Sequence, residues 1–361
     1  MSITFHTLTV KEVRRETPGA VSISFDIPPA LEAQFRFVQG QNITIRKIVN
    51  GEEIRRNYSI CSAPGEKDFR IAVKHIEGGL FSTFANTELK TGDQLEVMTP
   101  TGKFHVPLDP SSRRLYMAFA AGSGITPVIS IIKATLQQET QSEFILVYGN
   151  RNRQQIIFRE ELESLKNRYL SRFQVIHILS REETDTELNT GRIDAEKCRM
   201  IDGKLVDLRA VDAFYLCGPE AMIFTVRDYL RQTGVASAKI HFELFHTAGD
   251  QRVGPSSAMH RTSTGNAEHS TVSVKLDGVV SRFTLAYDGD SILQAALKQG
   301  IDLPFACKGG MCCTCRAKLE AGQVEMDRNY ALEPDEVEAG FVLTCQSHPR
   351  TREVFVNFDN R

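Results

Sequence analysis

Hydrophobic and polar positions alternate along the chain with two different periods, and the change of period divides it. From Thr4 to about residue 108 apolar residues recur at every second position, as at Val21, Ile23, Phe25 and Ile27 and again at Ile43 and Ile45. That is the period of a strand with one covered face. Turn formers at Pro18-Gly19, Pro28-Pro29, Asn50-Gly51, Pro64-Gly65 and Gly92-Asp93 punctuate these runs, so the stretch predicts a small antiparallel β-barrel. After Asp109, apolar runs at 115–120, 144–148, 173–179, 214–217 and 240–245 alternate with amphipathic helical patterns at 127–138, 157–169 and 220–233. Strand and helix in alternation predict a doubly wound parallel α/β sheet covered on both faces.

Residues 246–270 carry glycine, serine, threonine and proline with almost no apolar periodicity, the pattern of a linker. Beyond them two apolar runs flank Asp277-Gly278 as a hairpin, Asp290-Ser291 can cap a helix over 292–299, and Pro334 can open another. At 361 residues the chain exceeds one ordinary core. The pattern predicts three domains, 1–108, 109–245 and 271–361, the last two joined by the linker.

Composition narrows the function. The formal charge is -2 with both signs interleaved, so there is no long basic stripe to follow a nucleic-acid backbone. The first residues lack a basic segment followed by an apolar one, and no apolar window has the length of a membrane span. A soluble, cytoplasmic protein is the expectation. Four of the eight cysteines cluster near the C-terminus and four are scattered, at Cys61, Cys198, Cys217 and Cys313. That usage suits a metal site in a reducing compartment better than a disulfide framework.

The clustered cysteines carry the chemistry. Cys307, Cys312 and Cys315 form C-x4-C-x2-C, and Cys345 follows after a gap of 29 residues, the spacing of plant-type two-iron clusters. Four thiolates can close around two irons, with Gly309 and Gly310 letting the backbone wrap and turn amides toward the sulfurs. A structural zinc site favours two C-x2-C pairs, and only one is so placed here. Cys313 fits no ligand position and reads as a small packing thiol. Glu333, Asp335, Glu336 and Glu338 form an acidic patch before Cys345 that either steers a basic partner or simply starts a helix.

Upstream, Arg56-Asn-Tyr58-Ser59 could supply a phosphate clamp, a ring to stack on and a hydroxyl for a heterocycle, or ordinary strand surface. Val73-Lys74 is followed by Gly78-Gly79 and Ser82, where a helix start could offer amides to a pyrophosphate. The first strand of the second domain ends in Gly122-Ser-Gly124-Ile-Thr126-Pro127. This reads equally as a dinucleotide turn lacking its third glycine and as a tight strand-to-helix turn. Other strand ends carry Asn150-Arg151, Ser180-Arg181 and Cys217-Gly218-Pro219, and ligands of open parallel sheets gather at such ends. Ser180 and Arg181 could bind a 2′-phosphate and favour NADPH over NADH. No histidine is placed to activate Cys217, which reads as a packing residue beside a nicotinamide.

In their order and spacing, Arg56-x-Tyr58-Ser59, Gly79-x-x-Ser82, Gly122-x-Gly124-x-x-Pro127 and Cys217-Gly218-Pro219 resemble the ferredoxin-NADP reductase family, and the cysteine loop resembles plant-type ferredoxin, a β-grasp domain. A reductase module followed by a ferredoxin module resembles the reductase components of bacterial multicomponent oxygenases. The whole run from Phe5 to Asp359, including 303–312 and Asn329-Tyr-x-Leu-Glu-Pro-Asp335-Glu, is most similar to the reductase-subunit family of phenylacetyl-CoA epoxidases. The resemblance implies that Arg56 holds a flavin phosphate, Tyr58 covers the ring, Ser59 faces it near N5, and Gly79 and Ser82 bind phosphates. Lys74 would join them at the cofactors, Thr126 would lie near flavin and nicotinamide, and Glu243-Leu-Phe245 would screen the flavin. The relatives imply FAD, although some reductases of this layout hold FMN.

A dinucleotide gives up two electrons together as hydride, whereas an iron-sulfur cluster takes one, so a flavin belongs between them. The resulting expectation is an NADPH-dependent FAD and [2Fe-2S] reductase, with no catalytic acid, base or nucleophile of its own. The implied partners are the di-iron oxygenase subunits of the phenylacetyl-CoA epoxidase complex, in aerobic phenylacetate degradation. Competing expectations are the reductase of a Rieske dioxygenase, demethylase or other hydroxylase, and, from another class, a redox-sensing iron-sulfur interaction protein.

Overall fold

The alternating N-terminal runs become strands β1 (Phe5–Thr17), β2 (Ala20–Asp26), β3 (Asn42–Val49), β4 (Glu52–Ser59) and β5 (Phe69–Lys74), then helix α1 (Leu80–Thr87) and strand β6 (Gln94–Met98). This computed structural model describes residues 4–49, 51–245 and 268–360. The strands pair in the order β4-β3-β6-β1-β2-β5, and the two ends of that sheet meet. Ile60, just past β4, bridges Ile71 of β5, and Cys61 N donates to Arg70 O at 2.7 Å. Closure of this kind removes the free edges, as the predicted barrel requires. Val21, Ile23, Phe25, Ile43 and Ile45 fill its core. Ser22 and Ser24, on the other face of β2, are buried as well. Ser22 Oγ donates to Glu16 Oε1 (2.6 Å) and accepts from Arg70 Nη1 (2.8 Å), which satisfies a hydroxyl that periodicity alone would put in water.

The second pattern becomes β7 (Leu115–Ala121), α2 (Ile125–Gln138), β8 (Glu143–Asn150), α3 (Arg159–Arg168), β9 (Phe173–Leu179), α4 (Ala195–Ile201), β10 (Ala213–Gly218), α5 (Glu220–Gln232) and β11 (Ile240–Leu244). The sheet order is β11-β10-β7-β8-β9, with parallel pairing throughout. Strand order reverses between β7 and β10, the point at which such sheets open a crevice.

Three details differ from the pattern. Helix α2 starts two residues before Pro127, which still lies in the first turn, where its missing N–H donor costs no intrahelical hydrogen bond. It is also buried on every side rather than amphipathic. It packs in one cluster with sheet residues and with Ala20, Cys61, Ala72 and Phe104 of the N-terminal segment, so only its last two residues, Gln137 and Gln138, are exposed. Helix α3 starts at Arg159 instead of Ile157, because Ile156, Ile157 and Phe158 plug the core and Phe158 takes φ 61°, outside helical space. Helix α4 is absent from the predicted elements. Its seven residues are too few to display a period, although Asp194 caps it by accepting from Lys197 N at 2.9 Å.

The C-terminal unit comprises β12 (His269–Leu276), β13 (Val279–Ala286), α6 (Ile292–Lys298), β14 (Arg316–Ala321), β15 (Val324–Met326), α7 (Pro334–Glu338), β16 (Phe341–Leu343), β17 (Ser347–Pro349) and β18 (Glu353–Asn357). The predicted linker lies outside the described residues up to 267, and β12 begins just before the expected start of the domain. A five-stranded sheet, β13-β12-β18-β14-β16, combines the predicted hairpin with a parallel β12–β18 pair. Buried Ile292, Leu293 and Ala296 of α6 share its core. Ser291 caps α6 in a reciprocal capping box with Gln294. Among the described residues, no helix is long and apolar enough to cross a membrane.

Candidate functional site

The cysteine loop runs between α6 and β14, and Cys345 lies in the turn between β16 and β17. The thiols come together as two pairs. Cys307 lies close enough to Cys312, and Cys315 to Cys345, for the two thiols of each pair to interact, and Cys315 feels the charges of the first pair. Two pairs are what two irons need, and a lone tetrahedral ion needs four groups about one centre. The Cys307 thiol is lowered chiefly by the hydrogen bond from Cys312, against burial, with the amides of Gly309, Met311 and Cys312 also turned toward it. These residues therefore fit a [2Fe-2S] cluster, whose thiolate ligands backbone amides stabilise.

The wrapping of the loop depends on Lys308 (φ 53°) and Gly310 (φ 75°), not on Gly309. A Cβ on Gly310 would fall 2.9 Å from Arg328 O. Gln346 Nε2 donates to Lys308 O (3.0 Å) and Cys345 O (2.9 Å), which ties the loop to the fourth cysteine. Cys313 turns away and donates to Ala331 O at 3.3 Å. In the acidic patch, Glu333 and Glu336 form the capping box of α7, and Glu336 also pairs with Arg316 at 3.0 Å. Asp335 and Glu338 remain exposed.

In the barrel, Arg56, Tyr58 and Ser59 lie on β4. Arg56 is exposed, its Nη1 donating to Arg55 O at 2.8 Å, while the ring of Tyr58 rests on Phe81 with centroids 5.4 Å apart. Ser59 is buried, and its Oγ donates to Glu243 Oε2 at 3.3 Å. Ser82 Oγ accepts from Ile76 N (3.1 Å) and donates to Gly79 O (3.2 Å). Its hydroxyl therefore shapes the turn that presents the first amides of α1, and Gly79 is the N-cap of that helix.

At the crevice, Gly122 takes φ 54° and its carbonyl accepts from Tyr148 Oη at 3.0 Å. A Cβ on Gly124 would lie 2.0 Å from Cys217 O, so only glycine lets the turn after β7 approach the end of β10 there. Thr126 Oγ1 donates to Ser123 O at 3.0 Å. A Cβ on Gly122 would be 3.1 Å from Lys74 Nζ of the barrel. Lys74 is pushed down by burial and by the charge of Arg151. A lysine at a glycine turn, with the charge of Arg151 felt there, suits a pyrophosphate.

Asn150 is buried, with its side-chain amide against the Tyr148 hydroxyl. Ser180 N and Arg181 N donate to Asn150 O (2.9 Å) and Arg151 O (2.7 Å), which aligns these strand ends, and Arg151, Ser180 and Arg181 are exposed. Cys217 is fully buried, its thiol raised by burial and then by Glu243, which rules out an activated thiolate. Gly218 abuts Ala121 and Met222, and Phe245 packs on the domain core.

Residue-by-residue reading does not single out two features here. Glu243 accepts from Ser59 and from Asn42 Nδ2 (3.4 Å), and burial pushes its carboxyl up to about 7 against those two hydrogen bonds. Nothing local marks this contact, since its members meet only when β3, β4 and β11 converge. Lys133, the other omission, does leave a trace, as a lone cation in an apolar helix.

Comparison with known proteins matches this geometry segment by segment. Residues 7–106 match the oxidoreductase FAD-binding domain, 119–228 the oxidoreductase NAD-binding domain, and 274–350 the 2Fe-2S iron-sulfur cluster binding domain. The chain is 44% identical to a subunit of the 1,2-phenylacetyl-CoA epoxidase of Escherichia coli (strain K12), over 99% of this chain and 98% of that one. It is 32% identical to the ferredoxin reductase component of 3-ketosteroid-9-alpha-monooxygenase from Rhodococcus rhodochrous, over 97% and 96%. Among solved structures, phthalate dioxygenase reductase, described as a modular structure for electron transfer from pyridine nucleotides to [2Fe-2S], aligns over 98% of both chains with a TM-score of 0.57 and 25% identity. FAD, a nicotinamide dinucleotide and a [2Fe-2S] cluster are thus the cofactors of three consecutive domains. With those domains in that order and an end-to-end match to the epoxidase subunit, the chain belongs to the family of oxidoreductases that serve as reductase components of multicomponent oxygenases.

Proposed function

We propose that this chain is the NADPH-oxidising reductase of a phenylacetyl-CoA epoxidase complex, delivering electrons to its di-iron oxygenase subunits in aerobic phenylacetate degradation. The observation that carries this reading is the 44% identity to the epoxidase subunit along 99% of the chain, against 32% for the steroid monooxygenase component. We assign the domains as 1–108, 109–245 and 271–361, with 246–270 as the connection. Eight free cysteines, none in a disulfide, support a reducing, cytoplasmic setting.

Bound FAD accepts a hydride and releases its two electrons one at a time, which matches a two-electron donor to a one-electron cluster. The protein contributes placement. Arg56 clamps a flavin phosphate, with the turn of Gly79 and Ser82 supplying amides. Tyr58 backs the ring and Ser59 holds its edge. Lys74 and Arg151 take the dinucleotide pyrophosphate over Gly122 and Gly124. Asn150 and Thr126 orient the nicotinamide end, and Ser180 and Arg181 take the 2′-phosphate. Cys217, Gly218 and Phe245 give the nicotinamide a dry wall. Cys307, Cys312, Cys315 and Cys345 hold the cluster. Rate in such a site comes from orientation and exclusion of water, with no protein nucleophile required.

Reconstitution tests the partner. With NADPH and the purified oxygenase subunits of a phenylacetyl-CoA epoxidase, the protein should support epoxidation of phenylacetyl-CoA. Rapid reduction of a Rieske oxygenase together with failure in that assay would establish the alternative, a reductase of another oxygenase class. A cluster that NADPH leaves oxidised would point to a redox sensor.

A further inference from the structure

Helix α2 reads Ile-Thr-Pro-Val-Ile-Ser-Ile-Ile-Lys-Ala-Thr-Leu-Gln-Gln, and Lys133 is its one charged residue. A surface helix would turn that lysine outward. Here the side chain is only 8% exposed, and its Nζ lies 3.0 Å from Glu66 Oε2 and 2.9 Å from Glu161 Oε1. Glu161 belongs to α3 of the same domain, whereas Glu66 belongs to the barrel, on the segment that leaves β4. One turn earlier on α2, Ser130 Oγ donates to Ser62 O of the same barrel segment at 2.6 Å. Glu66 Oε2 in turn accepts from Ala63 N at 2.9 Å, so the segment is braced before it meets the lysine. Two polar ties, one turn apart, thus join α2 to the chain just downstream of Arg56, Tyr58 and Ser59.

Stability alone does not account for this arrangement. Withdrawing an ammonium from water costs several kcal/mol, and an apolar side chain of similar volume often serves as well or better. What a buried ion pair adds is direction, because it is satisfied at one register only. The apolar contacts of α2 with Ala20, Cys61, Ala72 and Phe104 are non-directional and leave the register to these polar ties. Beside the lysine lies a cavity of about 590 Å³ lined by Arg14, Arg70, Arg153, Glu66 and Glu161 among others. Burial favours the neutral amine, but Glu161 and Glu66 outweigh it and keep Lys133 charged. The N-terminal turn of the same helix carries Thr126 and follows Gly122 and Gly124. A rotation of α2 against the barrel would therefore move the nucleotide turn relative to the flavin strand.

We propose that Lys133 is a positioning residue for hydride transfer: through Glu66 and Glu161 it fixes α2, and with it the nicotinamide-holding turn, in register with β4. The inference rests on the reading that hydride passes from NADPH to FAD in this crevice. One hydride, with its electron pair, leaves the dihydronicotinamide for the isoalloxazine, and Lys133 exchanges neither proton nor electron. Because the residues assigned to the dinucleotide stay in place and only the ties to Glu66 and Glu161 go, loss of the register should slow transfer at saturation more than it weakens binding.

The test is anaerobic stopped-flow reduction of the purified holoprotein by NADPH, comparing Lys133→Met, Lys133→Arg and Glu66→Gln with the wild type. With flavin and iron content normal, Lys133→Met should lower the limiting rate of flavin bleaching about tenfold or more, the scale of loss that sub-ångström to ångström misplacement brings. Its half-saturating NADPH should stay within about threefold, and the long-wavelength nicotinamide–flavin absorbance should weaken. Lys133→Arg should recover most of the rate. A limiting rate within twofold of wild type, an effect confined to half-saturation, or no recovery by arginine overturns the proposal. Should Lys133→Met fail to fold, Glu66→Gln decides: a severalfold slower limiting rate supports the tie, and an unchanged one overturns it. Failure of the underlying reading would look different, since the wild-type flavin would then not bleach with NADPH at all.

Discussion

The iron-sulfur site and the flavin–nucleotide crevice do the same kind of work, electron placement, and are built in opposite ways. Three of the four cluster thiols lie within nine consecutive residues, and the fourth is tied to them by Gln346 and by Thr344 Oγ1 donating to Cys315 O at 3.0 Å. The crevice gathers single residues from β4, β5, β7, β8, β10 and β11 and from turns between them. A local site tolerates change in the rest of the chain but fails when one of its own ligands goes. A dispersed site has many weak contributors, and its sensitive points are the places where the backbone itself comes close.

The largest expected effect tests the local site. Cys312→Ser should strip iron from the protein while NADPH still bleaches the flavin, since losing a ligand exceeds the roughly 10–100-fold loss of metal affinity that follows loss of an outer contact. Iron content and single-turnover absorbance would show it, and loss of flavin reduction together with iron would mean that the two regions are not separable. Gly124→Ala is the matching experiment in the crevice. A Cβ 2.0 Å from Cys217 O must push the turn after β7 away from β10. Overpacking of this kind costs about 1–3 kcal/mol. Thermal melting followed by flavin release should fall by several degrees and NADPH oxidation should drop steeply, with the cluster spectrum unchanged.

Smaller effects should come from groups at the rim. Arg181→Ala should reduce the preference for NADPH over NADH by about tenfold, the value of one charge-assisted contact discounted for exposure. Steady-state constants with both dinucleotides would check this, and an unchanged ratio would remove Arg181 from the 2′-phosphate site. Glu243→Gln addresses pH. Burial raises the Glu243 carboxyl from 4.5 to about 7, so between those values the folded protein keeps a proton that the unfolded chain releases. Stability should therefore decline as pH rises through that window and level off above it. The glutamine variant should lack that slope when melting is compared at pH 5 and pH 8, and identical slopes would show that the carboxyl is not enclosed.

The same contrast explains how much is legible before folding. The cysteine spacing, the order of the three domains and the glycines at the nucleotide turn are each visible in a few adjacent letters, because chelate geometry and tight turns are local constraints. Helix α2 shows where such reading stops. Its apolar run announces a helix, yet whether it has a wet face depends on the barrel segment packed against it, and Lys133 acquires its meaning there. Likewise, Ser82 is legible as a polar residue at a helix start, but only the folded turn shows its hydroxyl committed to Ile76 and Gly79.

By itself, then, the amino-acid order determined most element types, the parallel and antiparallel halves and the cysteine spacing of a two-iron site, since each follows from a period or a spacing along one short stretch, whereas FAD was implied by likeness to a family. Tertiary structure alone decided the closure of the barrel through Ile60 and Ile71. It also decided the pairing of thiols two by two, the enclosure of Glu243 against Ser59 and Asn42, and the burial of Lys133 between two carboxylates. Apart from the neighbours Cys307 and Cys312, those outcomes depend on contacts between residues separated along the chain, up to Asn42 and Glu243, 201 positions apart, where the energy of each contact exists only after the chain has closed the loop between them.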